Sequence, residues 1–180
     1  MSNLNTNYTL WYHNPNNSNW TEDSYHQILS FETLEEFWVL DNLIEKNLIE
    51  NGMFFIMKED IVPIWENEKN EKGGYISWRI PRDTTYEHWI DLIGHILINN
   101  LFSFNPDNDK VNFNEYINGC SISPKKKFNI LKIWLNQPVN IDEDNIVYND
   151  TFKLKDESST FKLHQYNIEK DKKNNPNRKQ

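Results

Sequence analysis

Trp65 and Glu66 stand together at the mouth of a polar stretch, Pro63-Ile-Trp65-Glu66-Asn-Glu-Lys-Asn70, that runs on to Gly73-Gly74. Trp20 closes a second polar loop, His13–Asn19 (HNPNNSN). Loops seldom bury indoles, so core packing explains Trp20 poorly. An indole carried on a loop offers an electron-rich face to a flat or cationic ring, a contact worth roughly 0.5–2 kcal/mol. A carboxylate beside such an indole can accept hydrogen bonds from the edge of the stacked ring, and a cationic ring makes those bonds charge-assisted. Lys125, Lys126 and Lys127 form the densest basic run inside the chain, suited to a short anion such as a few phosphates.

The charge balance limits what such a site serves. The 180-residue chain carries a net charge of −8. Lys125–Lys127 contribute +3 and residues 169–180 another +3, which leaves −14 on the remainder. A general nucleic-acid binder is basic; an acidic body with two small basic spots instead holds a short anion and repels long duplexes. The single Cys120 excludes a disulfide framework and a cysteine zinc site, and fits a reducing compartment. The polar start MSNLNTNYTLWY predicts no signal peptide, and no apolar run reaches membrane-spanning length. Asn, Ile and Lys supply 63 residues and Ala none, which fits an AT-rich genome, either a protist or a large DNA virus. Seven Trp exceed what one core needs.

The elements that must carry these residues follow from periodicity. Residues 8–12 and 25–31 predict strands. Thr33-Leu-Glu-Glu36 is a capping box opening a helix over 33–50, stopped by Asn51-Gly52. Met53–Lys58 and Ile61–Trp65 predict two strands around a Glu59-Asp60 turn, with Pro63 marking an irregular edge. Residues 75–80 predict a strand, Thr84 a cap for a helix over 85–99, and 103–115 an exposed loop. Residues 120–123 and 129–135 predict a hairpin around Pro124-Lys-Lys-Lys127. A short helix near 142–148 and a strand near 160–167 complete the pattern. Residues 1–7 are expected as a flexible lead, 8–167 as a single domain and 168–180 as a disordered basic tail. Strands interleaved with two or three helices give an α+β domain.

Six pieces fall in one order: Leu10-Trp11-Tyr12, then Trp20, Phe31-Glu-Thr-Leu-Glu-Glu-Phe-Trp38, Pro63-Ile-Trp65-Glu66 after Lys58, His88-Trp89-Ile90-Asp91 and Ile133-Trp134. This series resembles the eukaryotic translation initiation factor 4E family, the mRNA cap-binding proteins, from about Tyr8 to Trp134. The resemblance implies a curved antiparallel sheet of about eight strands, a cupped hand with two to three helices on its convex face. It implies that Trp20 and Trp65 sandwich the 7-methylguanine of the cap, that Glu66 reads the guanine edge and that Trp134 packs near the N7-methyl group. It implies that Lys125 and Lys127 hold the phosphates. The family carries Arg where Lys125 stands, which exchanges bidentate geometry for a point charge. A further basic residue is expected at Ile130; by strand alternation Ile130, Lys132 and Trp134 share a face, and Lys132 is the substitute. Tyr75 replaces another basic residue.

The resemblance also implies a convex-face contact, through Leu34, Trp38, Ile90 and Asp91, with a scaffold of factor 4G type or an inhibitory protein. Such partners carry a Tyr-x4-Leu-hydrophobic helix. Ser2-Asn3 replaces the usual His-Pro pair, and Gly94 stands where a large apolar residue completes the pocket, so a repressor that binds the cap without the scaffold is the alternative. The expected ligands are the cap and capped mRNA, with no cofactor and no metal, in a monomer of the cytoplasm, or of the host cytoplasm if viral. Other classes fit less well. A methyltransferase needs a Gly-rich nucleotide loop, and Gly73-Gly74 is too short. A decapping hydrolase needs clustered carboxylates, and Glu35 diverges from the face shared by Glu32 and Glu36. Five scattered His have neither metal nor general-base spacing. A plain interaction module, with Trp20 structural and Trp38 exposed, predicts no affinity for 7-methyl-GTP. Trp11, Trp78 and Trp89 read as core residues, and Cys120 as a small strand residue.

Overall fold

The computed structural model describes residues 2–59, 61–104, 111–140 and 146–174. Seven strands form one curved antiparallel sheet in the order β2-β1-β3-β5-β6-β4-β7. They are β1 (Asn3–His13), β2 (Tyr25–Thr33), β3 (Met53–Lys58), β4 (Gly74–Pro81), β5 (Ile117–Pro124), β6 (Phe128–Leu135) and β7 (Thr160–Leu163). Four α-helices accompany them among the described residues: α1 (Leu34–Leu43), α2 (Lys46–Asn51), α3 (Thr85–Leu97) and α4 (His164–Asn174).

Strand alternation divides the apolar residues into two clusters. Leu10, Phe54, Ile56, Ile76, Trp78, Ile80, Cys120, Ile122, Leu131 and Ile133 face α1 to α3 and build the main core with Trp89, Leu92, Ile93 and Ile96. Their sequence neighbours Trp11, Met53, Phe55, Met57 and Trp134 make a smaller cluster with Ile61 and Val62. Side chains one residue apart on a strand point to opposite faces, so the smaller cluster lies on the face away from those helices. Trp11, Trp78 and Trp89 are all buried, as their positions predicted.

Several local expectations are corrected. Residues 3–7 belong to β1 rather than to a flexible lead; Asn3 pairs with Thr33, and Leu34 N donates to Ser2 O at 3.2 Å. The expected helix over 33–50 is two helices, broken at Ile44 and Glu45, which hold extended backbone. In one straight helix Ile44 and Ile49 would point about 140° apart. Turning the axis lets both pack on the core. Thr33 and Glu36 do form the capping box. Thr84 does stand at the N-cap of α3, but its side chain makes no capping bond; the hydroxyl donates instead to Pro81 O across a 3-10 turn.

Residues 61–65 form no strand. β3 already pairs with β1 and β5, so neither of its edges is open to the following segment, and Pro63 lacks a donor. β7 stops at Leu163, where α4 begins and runs to Asn174, so residues 168–174 are helical rather than disordered. Residues 142–145 of the helix expected near 142–148 lie outside the described residues; Tyr148 itself forms a bridge with Phe102. Residues 105–110 of the expected loop and 175–180 of the tail also lie outside them, and 113–116 form a 3-10 turn.

Candidate functional site

A cavity of about 730 Å³ opens on the smaller-cluster face, within the range of small-ligand sites. Its floor is β5 and β6, which contribute Ser121, Ser123, Lys132 and Trp134; its walls are the loop after β1 (Trp20), the loop after β3 (Trp65, Glu66) and the end of α4 (Asp171, Asn174). Both loop indoles predicted from the sequence therefore reach one cavity, together with Glu66, Trp134, Lys125 and Lys132. Lys127 does not join them. It stays exposed on the β5–β6 turn and does not line the cavity.

The Trp20 loop is held by a residue the sequence reading passed over. His13, fully buried at the end of β1, donates from Nε2 at 2.8 Å to Asn19 O and stacks on Trp20 with ring centroids 4.2 Å apart and planes at 5°. One indole face is thus covered while Trp20 remains 36% exposed. Asx-type contacts tighten the loop, from Asn16 N to Asn14 Oδ1 and from Asn19 N to Asn17 Oδ1.

The Trp65 loop is pinned from within. Asn70, fully buried, donates to Ile64 O at 2.9 Å and to Val62 O at 3.3 Å, so its amide bridges the backbone just before Trp65. Asn118 on β5 donates in turn to Asn70 Oδ1 and Lys69 O, both at 2.8 Å. The loop closes at Gly73, whose carbonyl accepts from His164 N at 3.0 Å. A Cβ on Gly73 would lie 1.8 Å from Leu135 O, which explains the glycine by close approach.

An aromatic row crosses this face of the sheet, with Tyr25, Phe55 and Trp134 lining the cavity. Tyr25, Phe55, Trp134 and His164 follow one another with centroids 5.4, 6.1 and 4.9 Å apart, and Tyr75 continues the row 5.7 Å beyond His164. Trp134 donates its indole N–H to Ser121 Oγ at 2.9 Å across the β5–β6 ladder. Lys132 Nζ lies 4.4 Å from the Tyr75 ring centroid and 6.0 Å from that of Trp65. Burial first, then Lys125 and Lys162, lower its pKa to about 8. His164 is fully buried and both ring nitrogens lack a hydrogen-bond partner. Burial and Lys132 push it down to about 3, so it is neutral.

Chemically the cavity offers aromatic faces, two carboxylates (Glu66, Asp171) and two cations (Lys125, Lys132). Among the described residues no group of three or more His, Cys, Asp or Glu is placed to hold a metal. No described helix is long and apolar enough to cross a membrane. His13, Tyr25, Ser121, His164 and α4 escaped the sequence reading. The first four stand on the cavity face by strand parity or at a strand end, a signal usable only once the strands are paired.

On the helix face, Trp38 is 46% exposed, with Val39 and Leu43 exposed beside it, while Leu34 and Ile90 are partly packed on the core. Asp91 Oδ2 accepts from Lys153 N at 2.9 Å, in the segment that buries Phe152 and Leu154. A Cβ on Gly94 would meet nothing within 4 Å.

A helix-backed antiparallel sheet carries on its other face a cavity with aromatic faces and lysines, the chemistry that a flat ring attached to an anion requires. The family profile described as Eukaryotic initiation factor 4E matches residues 3–179, and the chain belongs to that family. The eukaryotic translation initiation factor 4E of Eremothecium gossypii is 38% identical over 81 residues, 42% of this chain but only 38% of that protein. The structure of Ascaris suum eIF4E-3 with m7G cap superposes with a TM-score of 0.64 at 26% identity, covering 78% of this chain and 77% of the other. Caenorhabditis elegans eIF4E-3, in complex with the 4E-binding protein Mextli and cap analog, gives 0.72 at 21% identity over 93% and 95% of the two chains, a likeness of fold.

Proposed function

We propose that this chain binds the 7-methylguanosine cap of mRNA and brings capped mRNA to the translation machinery. The observation that carries the reading is the meeting of Trp20, Trp65 and Glu66 in one cavity with Lys125 and Lys132. The methylated ring is a delocalised cation that stacks between the two indoles. Glu66 accepts from the guanine N1–H and 2-amino group, and Trp134 packs near the methyl group. Lys125 and Lys132 hold the phosphates, and Lys132 fills the role left open by Ile130. Unmethylated guanine keeps the shape but loses the cation–π share, roughly 0.5–2 kcal/mol per face.

Partner docking belongs to the helix face, where Trp38 donates its indole N–H to the backbone carbonyl of a Tyr-x4-Leu-hydrophobic helix and Leu34 and Ile90 line its groove. Two observations favour a repressor as the second reading: Asp91 is already engaged by Lys153 N, and the space beside Gly94 is open. Either role is exercised in the cytoplasm, the host's if the gene is viral.

Retention on immobilised 7-methyl-GTP tests the reading. Wild-type protein should be retained against excess GTP and released by free 7-methyl-GTP, and Trp65→Ala should flow through. Equal elution by GTP would contradict cap reading.

A further inference from the structure

A second, open recess of about 530 Å³ adjoins the cavity at the end of the sheet. Tyr12, Asn14, Asn16, Asn51, Arg82 and Lys126 line it with Pro15, Pro124 and Lys125. It shares two borders with the cavity. Lys125 lines both, and the loop after β1 turns Asn14, Pro15 and Asn16 to the recess while Ser18, Asn19 and Trp20 line the cavity.

The recess is cationic on an acidic protein. Its lining holds Arg82, Lys125 and Lys126 and no carboxylate, against a net charge of −8 for the chain. Among the described residues none of the three makes an ion pair with a carboxylate. Arg82 is fixed in place: Nη1 donates to Asn51 Oδ1 and Nη2 to Lys125 O, both at 2.7 Å. Its Nε is buried without an acceptor. The same guanidinium thus fastens the backbone of Lys125, the residue common to both recesses. Three gathered cations with amide groups between them suit a sugar–phosphate chain, to which Asn and Arg side chains donate without reading sequence.

We propose that this groove holds the sugar–phosphate backbone of the RNA nucleotides that immediately follow the cap, with Arg82 and Lys126 as its phosphate contacts. The inference rests on the cap reading above. A ligand whose base lies between Trp20 and Trp65 and whose phosphates reach Lys125 leaves the cavity where the groove begins. The acidic remainder of the surface repels a longer RNA, so the contact ends after a few nucleotides.

Titration with three probes tests it: 7-methyl-GTP, a capped tetranucleotide and the same tetranucleotide uncapped, each at several salt concentrations. The capped tetranucleotide should bind about fivefold or more tighter than 7-methyl-GTP at low salt, with a log–log salt slope steeper by about 0.7 for each added phosphate contact. Lys126→Glu, on an exposed turn, should abolish that gain and leave 7-methyl-GTP within about twofold of wild type, and Arg82→Gln should abolish the gain as well. Equal affinity of wild type for the two capped probes, or a gain that survives both variants, would overturn the groove. Displacement of the capped tetranucleotide's extra affinity by a poly-glutamate peptide but not by the uncapped RNA would overturn RNA as the occupant. Should 7-methyl-GTP fail to bind at all, the cap reading falls; weak, Lys126-dependent binding of the uncapped RNA would then still support the groove.

Discussion

Asn118 donates to Asn70 Oδ1 at 2.8 Å, and Asn70 passes its own two N–H groups to Ile64 O and Val62 O. A strand of the floor therefore sets the height of the loop that carries Trp65 and Glu66. Removing the middle member takes three hydrogen bonds from a buried relay whose carbonyls keep only backbone donors, Ile64 N on Val62 O and Asn67 N on Ile64 O, at about 0.5–1.5 kcal/mol for each bond lost. Asn70→Ala should lower the melting temperature and weaken 7-methyl-GTP binding by more than about tenfold. Thermal unfolding read beside titration checks it; unchanged affinity would show that the loop holds its position without the pin.

Trp20 has His13 against one face, so it meets a ligand as a backed plate. Trp20→Ala should cost about tenfold or more in 7-methyl-GTP affinity. His13→Ala should weaken binding less, by loosening Trp20. A His13→Ala loss equal to that of Trp20→Ala, measured by fluorescence titration, would mean that the imidazole itself meets the ligand.

Lys132 is the titrating cation of the cavity. Its neutral form is favoured in the folded chain, so between about pH 8 and the ordinary lysine value the unfolded chain binds more protons. Stability consequently rises with pH across that window, and the cost is present in full below it. Lys132→Met should raise the melting temperature of the free protein at pH 7. The same variant should bind 7-methyl-GTP more weakly, because the phosphates lose a cation. Wild-type affinity should fall as pH passes 8 and Lys132 discharges. The methylated base also sheds its N1 proton in mild alkali, so the difference between the wild-type and Lys132→Met profiles carries the prediction.

Gly94 leaves open space on the helix face near Ile90 and Asp91. Gly94→Leu should tighten binding of a Tyr-x4-Leu peptide, and Trp38→Ala should weaken it by about tenfold, the order of a lost anchor residue. Calorimetric titration decides between the readings. A peptide that binds neither wild type nor Gly94→Leu points to a repressor.

Much of the site could be read from the chain because its parts are chemically conspicuous. An indole in an Asn-rich loop and a Trp-Glu pair before Gly-Gly stand out against any background. Lys132 was reachable by parity, since a strand of alternating residues places it beside Trp134. His13 and His164 were not legible, because a lone histidine gains meaning only from what packs against it. Helix α4 was hidden by composition: its polar, lysine-rich stretch reads as tail until Tyr75 and Trp134 are seen to receive His164. The break at Ile44 was hidden for a related reason, since the capping box announces where a helix begins and says nothing of where its axis turns. Lys127 was misplaced because three lysines on one turn look alike in sequence, whereas the turn points only Lys125 toward the cavity.

The Gly73 carbonyl that receives the His164 amide belongs at once to the end of the Trp65 loop and to the start of α4. Amide exchange gives that shared fastening an observable form. If loop and tail open as one unit, the amides of Glu71–Gly73 and of His164 should exchange at a common rate, and a ligand that closes over Trp65 should slow both by the same factor. The carboxyl-terminal helix, which makes no sandwich of its own, would then register occupancy of the cavity as a change in protection factor.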